Sequence, residues 1–236
     1  MLNKETAKKE QPQGFLTQRR LILNANSPFA LQEAYKSLRT NIRFSLHGEG
    51  CKKICITSSS AGEGKSITML NLAISFAQTG KKVLLVDADL RRPALARLMV
   101  EKASPGLSNI LADLSGEEEV VRKDIYPNLD VIFSGDVPPN PSELLSSERM
   151  QKFIEEMALQ YDYILVDTPP VTVVSDACLV ANMLDGVLLL ARQGRTRKDS
   201  VKQAINRLHL TGANLLGYVL NGVDLSGSTY YNYRQL

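Results

Sequence analysis

The sequence predicts an α/β fold built on a doubly wound, mostly parallel sheet. Three observations carry that prediction. Apolar runs sized for buried strands recur along the chain: "KICITS" (53–58), "KKVLLVDAD" (81–89), "LDVIFSG" (129–135), "YDYILVDT" (161–168), "DGVLLLA" (185–191) and "ANLLGYVLNG" (213–222). Helical stretches lie between them, and continuous apolar strands alternating with helices form parallel sheets covered on both faces. The first run also opens into a glycine-rich turn followed by a helix, a unit that presents backbone N–H groups to anions.

Each element follows in order. Residues 1–26 are polar, with Lys4, Lys8, Lys9, Arg19 and Arg20 and no clear period, and read as an N-terminal arm. They carry charge but no apolar h-region, so they are not a secretory signal. From 28 to 46, Leu31, Ala34, Leu38, Ile42 and Leu46 recur at helical spacing. The main domain is expected over 27–224, with 27–46 as its N-terminal helix. A second helix, "KSITMLNLAISFAQT" (65–79), is stopped by Gly80. Further helices are expected at 147–160, 175–184 and 197–209. Pro138, Pro139 and Pro141 fall in "DVPPNPSE" (136–143), a loop stiffened by their fixed φ. Residues 225–236 form a tail with Tyr230, Tyr231 and Tyr233, three aromatics where little could bury them.

Composition narrows the function classes. A chain of 236 residues suits one domain with a full core. The net charge of +3 is too small to argue for nucleic acid, and the longest apolar runs are far short of a membrane span. Cys51, Cys55 and Cys178 have no zinc or CxxC spacing and suit a reduced cytosol. His47 and His209 are isolated and receive no role.

The candidate chemistry lies in "SSSAGEGKS" (58–66). Gly62 and Gly64 allow the sharp turns that aim backbone N–H groups inward, and the following helix adds its positive end. The expected nucleotide-binding stretch is Ala61, Gly62, Glu63, Gly64, Lys65, Ser66 and Ile67. Lys65 would reach the β- and γ-phosphates of ATP, and the Ser66 hydroxyl would bind Mg²⁺. The full phosphate-loop pattern asks for glycine at 59, where this chain has Ser59. A plain glycine turn is the alternative, but the strand before and the helix after favour the phosphate loop. Asp87, Asp89 and Asp167 end two further strands, where parallel sheets bind ligands. Any one of them reads equally as a helix N-cap; three beside a phosphate loop read as a metal site. Mg²⁺ takes few protein ligands and keeps its waters. Ser66 is therefore assigned the direct contact, with the three aspartates acting directly or through water.

"SAGEGKS", "VLLVDADLRRP" and "ILVDTPP" resemble the Walker A, A′ and B motifs of bacterial tyrosine kinases (BY-kinases) of the CpsD/CapB type, associated with capsular and exopolysaccharide synthesis. The resemblance covers nearly the whole chain after the arm: "EAYKSLRTNIRF" (33–44), "GDVPPNPSELLSS" (135–147), "LLGYVLNG" (215–222) and "STYYNY" resemble the family's first helix, proline loop, last strand and tyrosine cluster. It implies a P-loop NTPase fold of the SIMIBI (partition-ATPase-like) kind. It also implies an ATP-Mg²⁺ protein-tyrosine kinase that phosphorylates its own Tyr230, Tyr231 and Tyr233 and other proteins. Lys65, Asp87 and Asp89 would be catalytic, with Asp87 orienting or deprotonating the substrate phenol. Asn221 would contact adenine; a turn asparagine is the alternative. Glu33, Lys36 and Arg39 match the family's E-x-x-R-x-x-R oligomer interface, with Lys36 in place of one arginine. Ala61 replaces a common proline. Ser60 stands where partition ATPases carry a second lysine, which disfavours an ATPase switch. The alternatives kept are such an ATPase switch, which only hydrolyses, and a nucleotide-dependent assembly scaffold of the polysaccharide machinery. The implied partners are a transmembrane adaptor that activates the kinase, a second copy of the chain in a ring, and a tyrosine phosphatase. The implied location is the cytoplasm, at the inner face of the plasma membrane through that adaptor.

Overall fold

The computed structural model describes residues 20–223. Within them the apolar runs form a single sheet of seven strands: β1 (Lys52–Ser58), β2 (Val83–Asp87), β3 (Arg122–Tyr126), β4 (Leu129–Ile132), β5 (Tyr163–Asp167), β6 (Gly186–Arg192) and β7 (Leu215–Asn221). Their order is β3-β4-β2-β5-β1-β6-β7. Every pairing is parallel except β3 with β4. This is a doubly wound α/β fold. The helices are α1 (Phe29–Ser45), α2 (Lys65–Ala77), α3 (Leu95–Met99), α4 (Leu107–Leu111), α5 (Glu117–Val120), α6 (Pro141–Leu145), α7 (Glu148–Ala158), α8 (Asp176–Ala181) and α9 (Lys198–Leu210).

Burial on both faces explains the unbroken apolar runs. Successive side chains of a strand point to opposite faces. Leu84 and Val86 of β2 meet Phe153, Met157 and Val180 on one side. Val83 and Leu85 meet Met69, Leu72 and Phe76 of α2 on the other, with Ile42 of α1 behind them. Each fully buried side chain of this size contributes ~1.5–3 kcal/mol. At its start, α7 is capped by the Ser147 hydroxyl, which accepts the Met150 N–H at 3.2 Å.

Several expectations need correction. Strand β3, "RKDIY", has no apolar run because it is a half-exposed, bulged, antiparallel edge, joined to β4 through Asn128 at φ 64°. The stiff proline segment contains a helix, α6, with Pro141 at its first position, where a missing N–H costs nothing. The expected arm of 1–26 gives way at its end. Ile22 and Leu23 are buried, the Leu23 N–H donates to Asn71 Oδ1 at 2.8 Å, and the Asn71 amide donates to Leu21 O at 2.8 Å. Two apolar residues and one side chain that pairs in both directions fix this stretch to α2.

Candidate active site

All the parallel strands point their C-terminal ends to one edge, and the candidate residues gather there. β1 lies between β5 and β6, so the loop that follows it sits at the centre of the edge. Gly62 (φ 75°) and Gly64 (φ 104°) adopt the left-handed backbone that favours glycine. Ser59, at the position where the pattern asks for glycine, is not among the residues with positive φ. Its hydroxyl donates to Glu63 Oε1 at 3.2 Å, so serine here ties the loop to itself.

Glu63 is nearly fully buried and staples three segments together. Its Oε1 also accepts the Thr196 hydroxyl at 2.6 Å, from the loop after β6. Its backbone carbonyl accepts the Asn221 amide at 2.9 Å, from the end of β7. The Asn221 amide fills the space above Gly64, where a Cβ would collide with it. Arg192 and Arg195 each donate to the Gly62 carbonyl, at 3.5 and 3.4 Å. Lys65 opens α2 and is 7% exposed; Ile67 packs partly against the core, and Ala61 is exposed.

The carboxylates flank this loop. Asp87 and Asp167 are register partners on the adjacent strands β2 and β5, and both are fully buried. Asp87 Oδ1 accepts the Asp89 N–H and Oδ2 the Leu95 N–H, both at 3.2 Å. Asp89 Oδ1 accepts the Arg92 N–H at 2.9 Å. Neither oxygen of Asp167 has a hydrogen-bond partner. Burial, then Asp167 and Asp89, push Asp87 well above the usual carboxylate range. Burial pushes Asp167 up to about 7, against the pull of the Lys65 ammonium and the Ser66 hydroxyl, which act without closing a hydrogen bond. An orphaned buried carboxylate beside a second one is costly unless a cation joins them. Among the described residues no three carboxylate, histidine or cysteine side chains converge on one point, so the pair fits a divalent ion whose shell is completed by water and phosphate, and the loop fits a polyphosphate.

The first helix differs from expectation in one member. Lys36 donates to Glu33 Oε1 at 2.7 Å on the outer surface. Arg39 turns inward and donates to the backbone oxygen of Ser75, and to its hydroxyl at 3.1 Å, fastening α1 to α2. Tyr230, Tyr231 and Tyr233 lie outside the described residues. The reading of the sequence missed Arg91, Ser142, Asp176, Arg195 and Thr196. They are far apart in the chain, and no local pattern marks them.

Fold and loop together define a nucleotide-binding P-loop protein of the SIMIBI kind, and comparison with known proteins agrees. The AAA domain family matches residues 51–207. Tyrosine-protein kinase YwqD of Bacillus subtilis is 40% identical over 220 residues, 93% of either chain. Tyrosine-protein kinase CpsD of Streptococcus agalactiae is 39% identical over 200 residues, 84% of this chain and 85% of that protein. The solved kinase domain of Escherichia coli tyrosine kinase ETK aligns with a TM-score of 0.80 at 36% identity, over 88% of this chain and 84% of that one. The chain belongs to the family of bacterial tyrosine kinases. Among the described residues no helix is long and apolar enough to cross a membrane.

Proposed function

We propose that this chain is the ATP- and Mg²⁺-dependent protein-tyrosine kinase of a capsular or exopolysaccharide system, and that it phosphorylates its own Tyr230, Tyr231 and Tyr233 between subunits. The observation that supports the reading most strongly is the buried pair Asp87–Asp167 beside the phosphate loop, with both oxygens of Asp167 unpartnered. Such a pair is suited to a metal-nucleotide complex, and phosphoryl transfer depends mainly on positioning and charge neutralisation.

The roles follow from local chemistry. Backbone N–H groups of 61–66 and the positive end of α2 would cradle the phosphates, with Lys65 supplying a buried positive charge. Ser66 and Asp167, with Asp87 and Asp89 directly or through water, would hold Mg²⁺, which supplies charge neutralisation when bound. Asp87, with its proton affinity raised, is suited to accept the phenol proton of a substrate tyrosine, since a free phenol is mostly protonated at neutral pH. Asp89 would assist. Asn221 would border the base while its amide keeps Glu63 in position.

Glu33 and Lys36 offer a charged outer face of α1 to a second copy of the chain, with Arg39 holding the helix in place. A transmembrane activator would recruit the kinase to the inner face of the plasma membrane, and a tyrosine phosphatase would reset it. The test is purified protein with Mg²⁺-ATP, with and without the activator's cytoplasmic segment, read by mass spectrometry for phosphotyrosine. Phosphate on the tail supports the proposal. Hydrolysis of ATP with no phosphotyrosine under either condition would replace it with an ATPase switch.

A further inference from the structure

The loops that follow the two aspartate-bearing strands are fastened together by side chains outside the site. β2 ends at Asp87, and the loop after it bears Asp89 and continues to Arg91. β5 ends at Asp167, and the loop after it passes back over β1. Thr168 Oγ1 donates to Ile56 O at 2.7 Å, the Val171 N–H to Ser58 O at 2.9 Å, and Thr172 Oγ1 to Ser59 O. That second loop ends at Asp176, the first residue of α8.

Arg91 Nε donates to Asp176 Oδ2 at 2.7 Å, and Arg91 Nη2 donates to Asp176 Oδ1 at 3.2 Å. The guanidinium thus forms a fork on a carboxylate whose side chain is 0% exposed. Ser142, on α6, closes the triangle. It accepts from Arg91 Nη2 at 2.8 Å and donates to Asp176 Oδ1 at 2.7 Å. α6 itself is anchored by buried Pro141 and Leu145.

We propose that Arg91, Asp176 and Ser142 form a positioning clamp that sets Asp89 against the pair Asp87–Asp167, which the pairing of β2 with β5 already holds, so that strand ends and loop act as one metal-binding unit. A charge as well buried as Asp176 demands its partner, so the fork forms whenever the domain folds. The arginine that satisfies it lies two residues from Asp89, and Asp89 Oδ1 is held by the N–H of the next residue, Arg92. Displacement of Arg91 therefore moves Asp89 relative to the strand-held pair Asp87–Asp167. Lysine could not replace it: a point charge cannot hold both oxygens of Asp176 and the Ser142 hydroxyl together. The clamp deepens the proposed nucleotide site and rests on that reading.

The test measures the linkage between Mg²⁺ and nucleotide. Binding of a fluorescent ADP analogue is titrated in chelator and then against Mg²⁺, for wild type, Ser142→Ala, Arg91→Lys and Arg91→Ala/Asp176→Asn. The double variant removes both charges and so orphans no buried carboxylate. Partners that orient metal ligands are typically worth 10–100-fold in metal affinity. The expected result is a rise of ~10-fold or more in the Mg²⁺ needed for half-saturation in the double variant, with a smaller rise in the two single variants. Nucleotide affinity in chelator should stay within about twofold, because the Arg91, Ser142 and Asp176 side chains bond one another and not the phosphate loop, and the bonds of Val171 and Thr172 to Ser58 and Ser59 are left intact. Adding Ser142→Ala to the double variant should cost nothing further, since one unit is already lost. An unchanged Mg²⁺ midpoint in the double variant overturns the proposal. So does an equal fall of affinity in chelator, which would mean general loosening. Phosphotyrosine is scored in parallel, so a shifted midpoint with no kinase activity in wild type would keep the clamp and remove the kinase reading.

Discussion

Replacing Asp167 with asparagine should stabilise the metal-free protein at alkaline pH while abolishing its activity. Asp167 is fully buried, its oxygens are unpartnered, and burial pushes its pKa up to about 7 from the ordinary 3.8. The folded state therefore binds a proton that the unfolded state releases. Such a group adds stability that is complete below pH 3.8 and is lost as pH rises through 7. Linkage between those two values gives a loss of about 3 kcal/mol from pH 5 to pH 8 for this one carboxyl. In a domain of this size that is ~6–12 °C in melting temperature. Asparagine keeps the shape and has no charge to bury. Thermal unfolding in chelator without nucleotide, at several pH values, should show wild type falling towards pH 8 and Asp167→Asn falling much less. Saturating Mg²⁺-nucleotide should restore wild type and leave the variant unaffected by Mg²⁺. Parallel pH profiles for the two proteins would refute the reasoning, because they would mean that Asp167 is not the group whose ionisation strains the fold.

Other outcomes are expected from the same structure. Lys65→Met should lose phosphotyrosine on a Mg²⁺-ATP assay while its circular dichroism is retained; near-normal phosphorylation would remove the assigned role of the phosphate loop. The triple variant Glu33→Ala/Lys36→Ala/Arg39→Ala should sediment as a smaller species than wild type, and an identical mass for the two would sink the interface. Arg39→Ala alone should also lower unfolding stability by ~1–3 kcal/mol, since it leaves the Ser75 carbonyl without its charged partner. Cys51, whose thiol is pushed up to about 11 chiefly by burial, should react with disulfide reagents far more slowly at pH 7.5 than a free cysteine does, and a fast stoichiometric reaction would contradict that environment. Lys65→Met chains mixed with active chains whose three tail tyrosines are phenylalanine should gain phosphate on the Lys65→Met tail; a blank result beside active wild type would exclude transfer between subunits.

The sheet was legible because burial on both faces writes itself into continuous apolar runs, and six of the seven strands announce themselves that way. β3 did not, since a half-exposed edge strand such as "RKDIY" carries no such run. The helices α3 to α6, of four or five residues, span barely one turn and leave no period to detect. In the site, residues tied to a local pattern were readable: glycines that must turn, a lysine that opens a helix, and aspartates that end buried strands. The network around them was not. Arg91 meets Asp176 across 85 positions, and Glu63 meets Thr196 across 133. Contacts of that kind exist only once the topology has brought several loops to one edge. Arg39 shows the opposite failure. Its spacing put it on a charged helix face, but the packing of α1 on α2 draws it inward to a backbone carbonyl.

The last strand connects the chemistry to the tail. β7 runs parallel to β6, which runs parallel to β1, so β7 ends on the edge that bears the phosphate loop. Its final residue, Asn221, holds the Glu63 carbonyl, and the chain therefore leaves the described domain from a point in contact with that loop. From Asp224 to Tyr230 a fully extended chain covers at most ~20 Å. Turning back to align a phenol with its own subunit's phosphates would leave little chain to spare, which is why the proposed transfer runs between subunits. Under the proposed function the receiving site would be lined by Asp87, Asp89 and Asp167. A phosphotyrosine carries about −1.5 to −2 charge, so each transfer would make the tail a poorer ligand for that acidic edge. Product release would then be favoured by the same carboxylates proposed to hold the metal, and a heavily phosphorylated tail would weaken contact between subunits rather than strengthen it.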